Sequence, residues 1–136
     1  MINIDTNYFY LFVDDDSFTN YLNKKMIDRV LDKPHYTIFQ SSIEALLFLK
    51  DFVTTPQRQI VLFLDLQLPQ ISGVDFLRLV HNDDLLSGLH LNIIILSNHE
   101  KSHYEKHFNN FSKVKGFINK PLSSEDINQV IRQFSA

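Results

Sequence analysis

Short apolar runs alternate with amphipathic segments along the chain. Three of the runs are rich in β-branched and aromatic residues, a composition typical of strands that are buried on both faces in a parallel sheet. Two weaker runs of the same kind are further strand candidates. The five predicted strands are Tyr8–Val13, Tyr36–Phe39, Ile60–Leu64, Leu91–Leu96 and Val114–Ile118.

Amphipathic segments fill the intervals, with apolar residues at the three- and four-residue spacing of a helix. Asp16 or Ser17 is placed to cap the first helix, and Ser123 with Asp126 has the spacing of a capping box at the last. The predicted helices are Ser17–Leu31, Ser42–Phe52, Val74–Val80, His99–Phe111 and Ser123–Phe134. The apolar positions of the first helix are Phe18, Tyr21, Leu22, Met26, Ile27, Val30 and Leu31.

Five strands that alternate with five helices predict a doubly wound α/β fold. Right-handed crossovers favour a five-stranded parallel sheet in the order 2-1-3-4-5, flanked by the five helices. We expect residues 1–136 to form one domain, because the length suits one and no linker-like composition divides it.

Polar residues follow four of the five predicted strands, where each strand ends. They are Asp14, Asp15, Asp16, Asp65, Ser97 and Lys120. Because ligand sites in this architecture lie at the carboxyl ends of the strands beside the switch point, we expect these side chains to converge. Each signal alone also fits a turn or a helix cap, so the prediction depends on their joint placement.

Three carboxylates at one edge repel each other, by about 4 kcal/mol for a pair 4 Å apart at an effective dielectric near 20. A cation can neutralise them, and hard oxygen ligands favour Mg²⁺, with Mn²⁺ as the alternative. A lysine and a hydroxyl on the same rim suit phosphoryl oxygens. The set predicts phosphoryl-transfer chemistry, with an aspartate as candidate nucleophile.

Composition narrows the class of protein. The 136 residues are 44% hydrophobic and 21% charged, near the globular average, and include no cysteine, which excludes a disulfide framework and a thiolate site. The net charge of −3 argues against a strongly electrostatic nucleic-acid binder. With no apolar run long enough for a membrane span and no secretory signal, we expect a cytoplasmic protein without a membrane partner.

Four segments resemble the receiver domain of two-component response regulators: LFVDDDS, FLDLQLPQISGVDFL, IIILSN and GFINKPLS. The D-x-x-L-P-x-x-x-G pattern from Asp65 to Gly73, together with Lys120-Pro121, carries most of the specificity. The resemblance covers essentially the full length and implies a flavodoxin-like fold. It also implies a stand-alone, chemotaxis-type receiver in a phosphorelay, which takes a phosphoryl group from a sensor histidine kinase or a histidine phosphotransfer protein.

The same resemblance implies individual roles. Asp65 matches the phosphoacceptor, and Asp14 and Asp15 match the acidic pair that binds Mg²⁺ with it. Gln67 falls where the family supplies a backbone carbonyl to the metal. The two residues that match the ligands of the phosphoryl oxygens are Ser97 and Lys120.

Further positions match the family's switch and its hydrolysis control. Phe117 matches the aromatic switch residue that moves with Ser97, and Pro121 would follow a cis peptide bond. Asn98 departs from the family, which prefers a small residue there. The positions expected to tune hydrolysis are Gln67, Asn98 and His99. The resemblance implies that the signal passes to a downstream protein target. A homodimer through the fourth helix, fifth strand and fifth helix is a second form of protein contact that it implies.

Alternative functions remain open from the residues. A Mg²⁺-dependent aspartyl-phosphate phosphatase or phosphotransferase would use the same nucleophile, although Gln67 stands where a haloacid-dehalogenase enzyme has its second aspartate. A degenerate, non-phosphorylated binding module is the other alternative. Because the chain has the full set of site residues of a receiver, we predict a signalling receiver, which catalyses only its own phosphorylation and dephosphorylation.

Three histidines, His99, His103 and His107, have the spacing of a metal site, but an ordinary polar helix explains them better.

Overall fold

The computed structural model describes residues 8–31, 35–51, 59–68, 70–98, 105–108 and 110–135. The strands are β1 (Tyr8–Val13), β2 (Tyr36–Phe39), β3 (Gln59–Asp65), β4 (His90–Ser97) and β5 (Val114–Asn119). The helices are α1 (Ser17–Ile27), α2 (Ser42–Asp51), α3 (Gly73–Asn82), α4 (Glu105–Phe108) and α5 (Ser124–Ser135). A 3₁₀ turn that the sequence did not predict, Leu86–Gly88, precedes β4.

All strand pairs are parallel, and the order is β2-β1-β3-β4-β5. This confirms the predicted doubly wound sheet. Strand β3 lies at the centre, and its residues alternate between two apolar cores because successive side chains point to opposite faces. Ile60, Leu62 and Leu64 pack with α2 and α3, whereas Val61 and Phe63 pack with α1 and α5.

Side-chain caps explain where several helices begin. Asp16 caps α1 by accepting a hydrogen bond from the Phe18 amide at 3.0 Å. At α5 the predicted capping box is confirmed: Ser123 Oγ accepts from the Asp126 amide, and Asp126 Oδ2 accepts from the Ser123 amide, both at 3.0 Å. These bonds satisfy amides that the helices leave unpaired.

Two predicted helices, the first and the fourth, were expected to end well beyond the observed last residue. Helix α1 ends at Ile27 rather than Leu31, because Asp28 caps it and is held by the hydroxyl of Tyr36 and by Lys24. Leu31 lies in the turn that follows and is buried there. An apolar residue at this spacing therefore fitted the pattern of a longer helix. The helix predicted as His99–Phe111 is described only at Glu105–Phe108, and Phe111 lies in the turn beyond it. The part at 99–104 lies outside the described residues.

Among the described residues, none of the helices has the length and apolar character needed to cross a bilayer.

Candidate functional site

Three carboxylates meet at the carboxyl edge of the central strands. Asp65 is the last residue of β3, and the register of β1 on β3 places Asp14 and Asp15 immediately beside it. One carboxylate oxygen from each residue lies within 4.8 Å of the others. Asp14 and Asp65 are buried, whereas Asp15 is exposed. This set of hard oxygen donors, with one side open to solvent, fits a small divalent cation such as Mg²⁺.

Lys120 bridges the two buried carboxylates from the end of β5. Its Nζ lies 2.7 Å from Oδ2 of Asp14 and 3.0 Å from Oδ2 of Asp65. Burial is the largest single influence on Lys120 and lowers its pKa, but the hydrogen bonds and the negative charges of the two aspartates together outweigh burial and hold the pKa above its usual value. The ammonium group therefore stays charged and offsets part of the repulsion in the cluster.

Asp65 is held in an environment that favours its protonated form. Burial raises the pKa of this carboxyl above its ordinary value, although the hydrogen bond and charge of Lys120 and the amide of Gln67 act in the opposite direction. The Gln67 amide donates to Oδ1 of Asp65 at 3.2 Å. One carboxylate oxygen thus faces the backbone and the other faces Lys120, which orients the group.

Asp14 is fixed by contacts that the sequence did not predict. Its amide donates to the Phe39 carbonyl at 3.1 Å, which ties it to β2. Asn20 Nδ2 donates to the carbonyl of Asp14 at 2.7 Å, and the amide of Asp16 donates to Oδ1 of Asp14 at 3.0 Å. The start of α1 therefore acts as a support for this carboxylate.

The orientation of the first two turns of α1 differs from the one that the apolar positions predict, although Ile27 in the last turn is buried as expected. Asn20 and Asn23 are only 7% and 6% exposed, whereas Phe18, Tyr21 and Leu22 are 66%, 55% and 44% exposed. The apolar positions of the first two turns therefore face solvent, and the asparagines face the sheet. Asparagine at positions 20 and 23, three residues apart and followed by Ile27, was the signal that could have indicated this face.

The third aspartate of the triplet has a different role. Asp16 accepts hydrogen bonds from the Phe18 amide and, at 2.9 Å, from the Thr19 hydroxyl, and the bond from Thr19 is the largest cause that lowers its pKa. Both of its oxygens serve the helix cap. It therefore lies outside the group of Asp14, Asp15 and Asp65.

Gly73 permits the close approach behind Asp65. A Cβ atom at this position would lie 2.9 Å from Cα of Leu66 and 3.0 Å from the carbonyl oxygen of Asp65. The Gly73 amide donates to the Leu66 carbonyl at 3.0 Å, which closes the turn between β3 and α3. The glycine is thus a steric requirement of the site.

The remaining predicted residues lie around this centre. Ser97 ends β4 and is buried, and its carbonyl accepts from the Lys120 amide at 2.8 Å. Asn98 is exposed on the rim, and the Lys120–Pro121 peptide bond is cis. Phe117 lies half-buried in β5, beside the core of the α2 and α3 side. His99 and His103, and the side chain of His107, lie outside what the structure describes.

A cleft of about 520 Å³ opens from the acidic cluster and runs between α1 and the residues after β5. Its lining combines the charged residues of the acidic cluster and Lys120 with apolar side chains. The residues that line the cleft are Asp14, Asp15, Asp16, Thr19, Leu22, Asn23, Met26, Asp65, Gln67, Leu96, Asn98, Lys120, Pro121 and Leu122. Leu22, Met26 and Leu122 were not predicted as site residues.

Comparison with solved structures finds the same fold in distant proteins. A CheY-like receiver domain from Methanospirillum hungatei JF-1 is 22% identical, with a TM-score of 0.69 over 94% of each chain. A two component response regulator from Cytophaga hutchinsonii is 19% identical, with a TM-score of 0.74 over 93% of this chain and 95% of that one. No curated protein matches the sequence.

A plant protein gives a further match. A mutant of the receiver domain of the histidine kinase CKI1 from Arabidopsis thaliana is 18% identical, with a TM-score of 0.76 over 97% of this chain and 91% of that one. The sequence profile of the response regulator receiver domain matches residues 11–132, which include the three carboxylates and the lysine. The chain therefore belongs to the response regulator receiver domain family, the signalling modules of two-component systems.

Proposed function

We propose that this chain is a phosphorylatable receiver in which Asp65 accepts a phosphoryl group from a phosphohistidine of a sensor kinase or a histidine phosphotransfer protein. The observation that carries the proposal is the arrangement around Asp65. Its carboxylate is buried, oriented by the Gln67 amide and Lys120, and within 4.8 Å of two further carboxylates. Such a cluster of charged side chains is suited to binding a cation and a phosphoryl group together.

The donor set supports a metal site at the acidic cluster. Asp14, Asp15 and Asp65 would hold Mg²⁺, or Mn²⁺, through carboxylate oxygens, and the backbone carbonyl of Gln67 would complete the protein's share of ligands. When bound, Mg²⁺ would offset the negative charge of the carboxylates and of the transferring phosphoryl group. Asp15, which is exposed, is placed to meet an ion that arrives from solvent.

The transfer step follows from the orientation of Asp65. A carboxylate oxygen of Asp65 attacks phosphorus, the new P–O bond forms, and the P–N bond to the imidazole breaks. The electron pair of that bond goes to the departing nitrogen. Lys120, which lies 3.0 Å from Asp65 in the free chain, would pair with a phosphoryl oxygen, and the Ser97 hydroxyl would donate to another.

Phosphorylation would be converted into a signal by Ser97 and Phe117. In this proposal the hydroxyl of Ser97, which is buried at the end of β4, moves toward the phosphoryl group, and the space that it leaves admits the half-buried Phe117 ring. The surface of α4, β5 and α5 then changes, for contact with a downstream protein or with a second copy of the chain. Gln67, Asn98 and His99 would tune the lifetime of the phosphoryl group.

The outward face of α1 supports a protein as the phosphodonor. Phe18, Tyr21 and Leu22 form an exposed apolar group at the start of α1, and Leu22 also lines the cleft that leads to Asp65. A donor that enters through this cleft therefore passes Leu22, next to Phe18 and Tyr21. A helix with an apolar face would bury these side chains while its phosphohistidine enters the cleft.

Incubation with Mg²⁺ and acetyl phosphate, or with beryllium fluoride, separates the possible functions. A receiver forms at most one adduct per chain, at a single residue, and loses the phosphoryl group only by its own dephosphorylation. Sustained turnover of a small phosphate ester would instead identify a phosphatase, and no adduct at all would identify a degenerate binding module. The Asp65→Asn variant is the matched control, because it keeps the shape of the site and removes the nucleophile.

A further inference from the structure

Four rings form a continuous row from β5 to α3, away from the acidic cluster. The centroids of Phe117 and Phe108 are 6.1 Å apart, and those of Phe108 and Phe111 are 6.5 Å apart. Phe111 meets His81 of α3 at 5.8 Å with an interplanar angle of 88°, an edge-to-face arrangement. All three distances lie in the range at which aromatic pairs interact. We call Phe117, Phe108, Phe111 and His81 the aromatic row.

Burial varies along the aromatic row in a way that favours transmission. Phe108 is 2% exposed and belongs to the core, whereas Phe117 and Phe111 are half-buried and His81 is exposed. Protein interiors are close-packed, so a buried ring cannot lose a neighbour without moving or leaving a void. A displacement of Phe117 is therefore passed first to Phe108.

The far end of the aromatic row has room to respond. A cavity of about 10 Å³ lies against Phe111 and His81, bordered also by Val80. It is too small for more than one water molecule, so a slight shift of a ring can fill it. Backbone hydrogen bonds also connect α4, the turn after it and the start of β5. The Phe111 amide donates to the Phe108 carbonyl, and the Val114 amide donates to the Phe111 carbonyl, both at 3.0 Å.

We propose that the aromatic row couples the state of Asp65 to the end of α3, with Phe108 and Phe111 as positioning residues and His81 as the residue that responds. The inference rests on the proposed function, in which phosphorylation changes the position of Phe117. It adds a second responsive surface on α3 to the surface of α4, β5 and α5. Phe108 determines whether the change at Phe117 reaches His81.

The imidazole C–H signals of His81, measured by NMR on the full chain, test this coupling. Substitution His81→Gln identifies these signals among the six histidines. Because Phe111 faces His81 edge-on, its ring current makes them sensitive to a small reorientation. Beryllium fluoride with Mg²⁺ mimics the phosphoryl group, and fluorine NMR reports its binding independently. We expect the His81 signals to shift when beryllium fluoride binds.

Two variants of the aromatic row and one matched control test whether the change at Phe117 reaches His81 through these rings. Phe108→Leu and Phe111→Leu should bind beryllium fluoride and lose the His81 shift. If Phe108→Leu does not fold, Phe108→Met decides, because it also removes the ring and methionine adapts to the space that the ring leaves. Loss of the shift in Phe111→Leu does not decide alone, because this change also removes the ring current that reports on His81. Phe48→Leu changes an aromatic residue that packs on the same core but pairs with Phe9 and Phe39, so it should keep the shift.

The outcomes distinguish this inference from the proposed function. Bound beryllium fluoride with unchanged His81 signals in the parent, or with a full shift in the folded Phe108 or Phe111 variant, would overturn the coupling and leave the receiver function intact. Loss of the shift in the Phe48 variant would also overturn it, since the effect would then be general. Failure of beryllium fluoride to bind the parent would overturn both.

Discussion

The Nζ atom of Lys120 lies 2.7 Å from Oδ2 of Asp14, although 106 positions separate the two residues in the sequence. The same atom lies 3.0 Å from Asp65, so one cation serves two buried carboxylates. Without a metal, two buried carboxylates share the charge of Lys120 while the third carboxylate, Asp15, lies close to them, so repulsion within the cluster is only partly offset. Its response to substitution and to Mg²⁺ follows from this arrangement.

Lys120→Gln should lower the free energy of unfolding by about 3 kcal/mol in EDTA, because removing one partner leaves buried charges uncompensated. Urea denaturation measures this directly. Saturating Mg²⁺ should stabilise the variant more than it stabilises the parent, since the ion then supplies the missing positive charge. The exposed Lys115 provides the control, and equal stability of Lys120→Gln and Lys115→Gln would contradict the account.

Asp65 should make the stability of the metal-free protein fall as the pH rises. Its raised pKa means that the folded protein keeps this proton to a higher pH than the unfolded chain, whose carboxyl has a pKa of about 3.9. Ionisation therefore costs stability above the folded-state pKa, and the cost vanishes below the unfolded-state value.

The comparison of Asp65→Asn with the parent, both in EDTA, measures this cost. The variant should be more stable at pH 7, and the difference should shrink as the pH falls toward about 4. Asp84→Asn, at an exposed position, serves as the control. A difference between Asp65→Asn and the parent that does not change with pH would show that burial does not perturb this carboxyl.

Gly73→Ala should damage both the fold and the site. The added Cβ would lie 2.9 Å from Cα of Leu66 and 3.0 Å from the Asp65 carbonyl oxygen, so the backbone must shift, at a cost of about 1–3 kcal/mol. Gly88→Ala is the matched control, because nothing lies within 4 Å of its added Cβ. Mg²⁺ affinity should fall for the first variant only, and equal thermal stability of the two would contradict this reading.

Much of the fold was predictable because its strands are marked by strong local signals. The apolar run of β3 and the aspartate that ends it predict both the buried strand and the position of a site residue. The joint placement of Asp14, Asp65 and Lys120 follows from the parallel topology, which brings the carboxyl ends together.

Other features depend on tertiary contacts that no local pattern reveals. The end of α1 is set by Asp28, which binds Tyr36 of β2, so the apolar positions beyond it do not continue the helix. The inward orientation of Asn20 is set by its bond to the Asp14 carbonyl. Prediction from hydrophobic periodicity assumes that apolar residues face the core. In the first two turns of α1 the contacts of the site place asparagines there instead.

Asp15→Asn should weaken Mg²⁺ binding and leave the fold intact. Asp15 is exposed and contributes one of the three carboxylates, so its removal lowers the charge that attracts the ion and relieves repulsion in the metal-free state. Asp16→Asn is the control: it neutralises the adjacent charge and keeps a residue that caps helices well. A Mg²⁺ titration that is the same for Asp15→Asn and the parent would remove Asp15 from the site.

The position of the phosphoryl group tests the central claim most directly. The chain is incubated with Mg²⁺ and a phosphohistidine-bearing phosphotransfer protein, the acyl phosphate is trapped by borohydride reduction, and the modified residue is located by mass spectrometry. The account predicts one modified residue, Asp65, and no modification in EDTA or in Asp65→Asn. Modification at another residue, or undiminished labelling of Asp65→Asn, would contradict it.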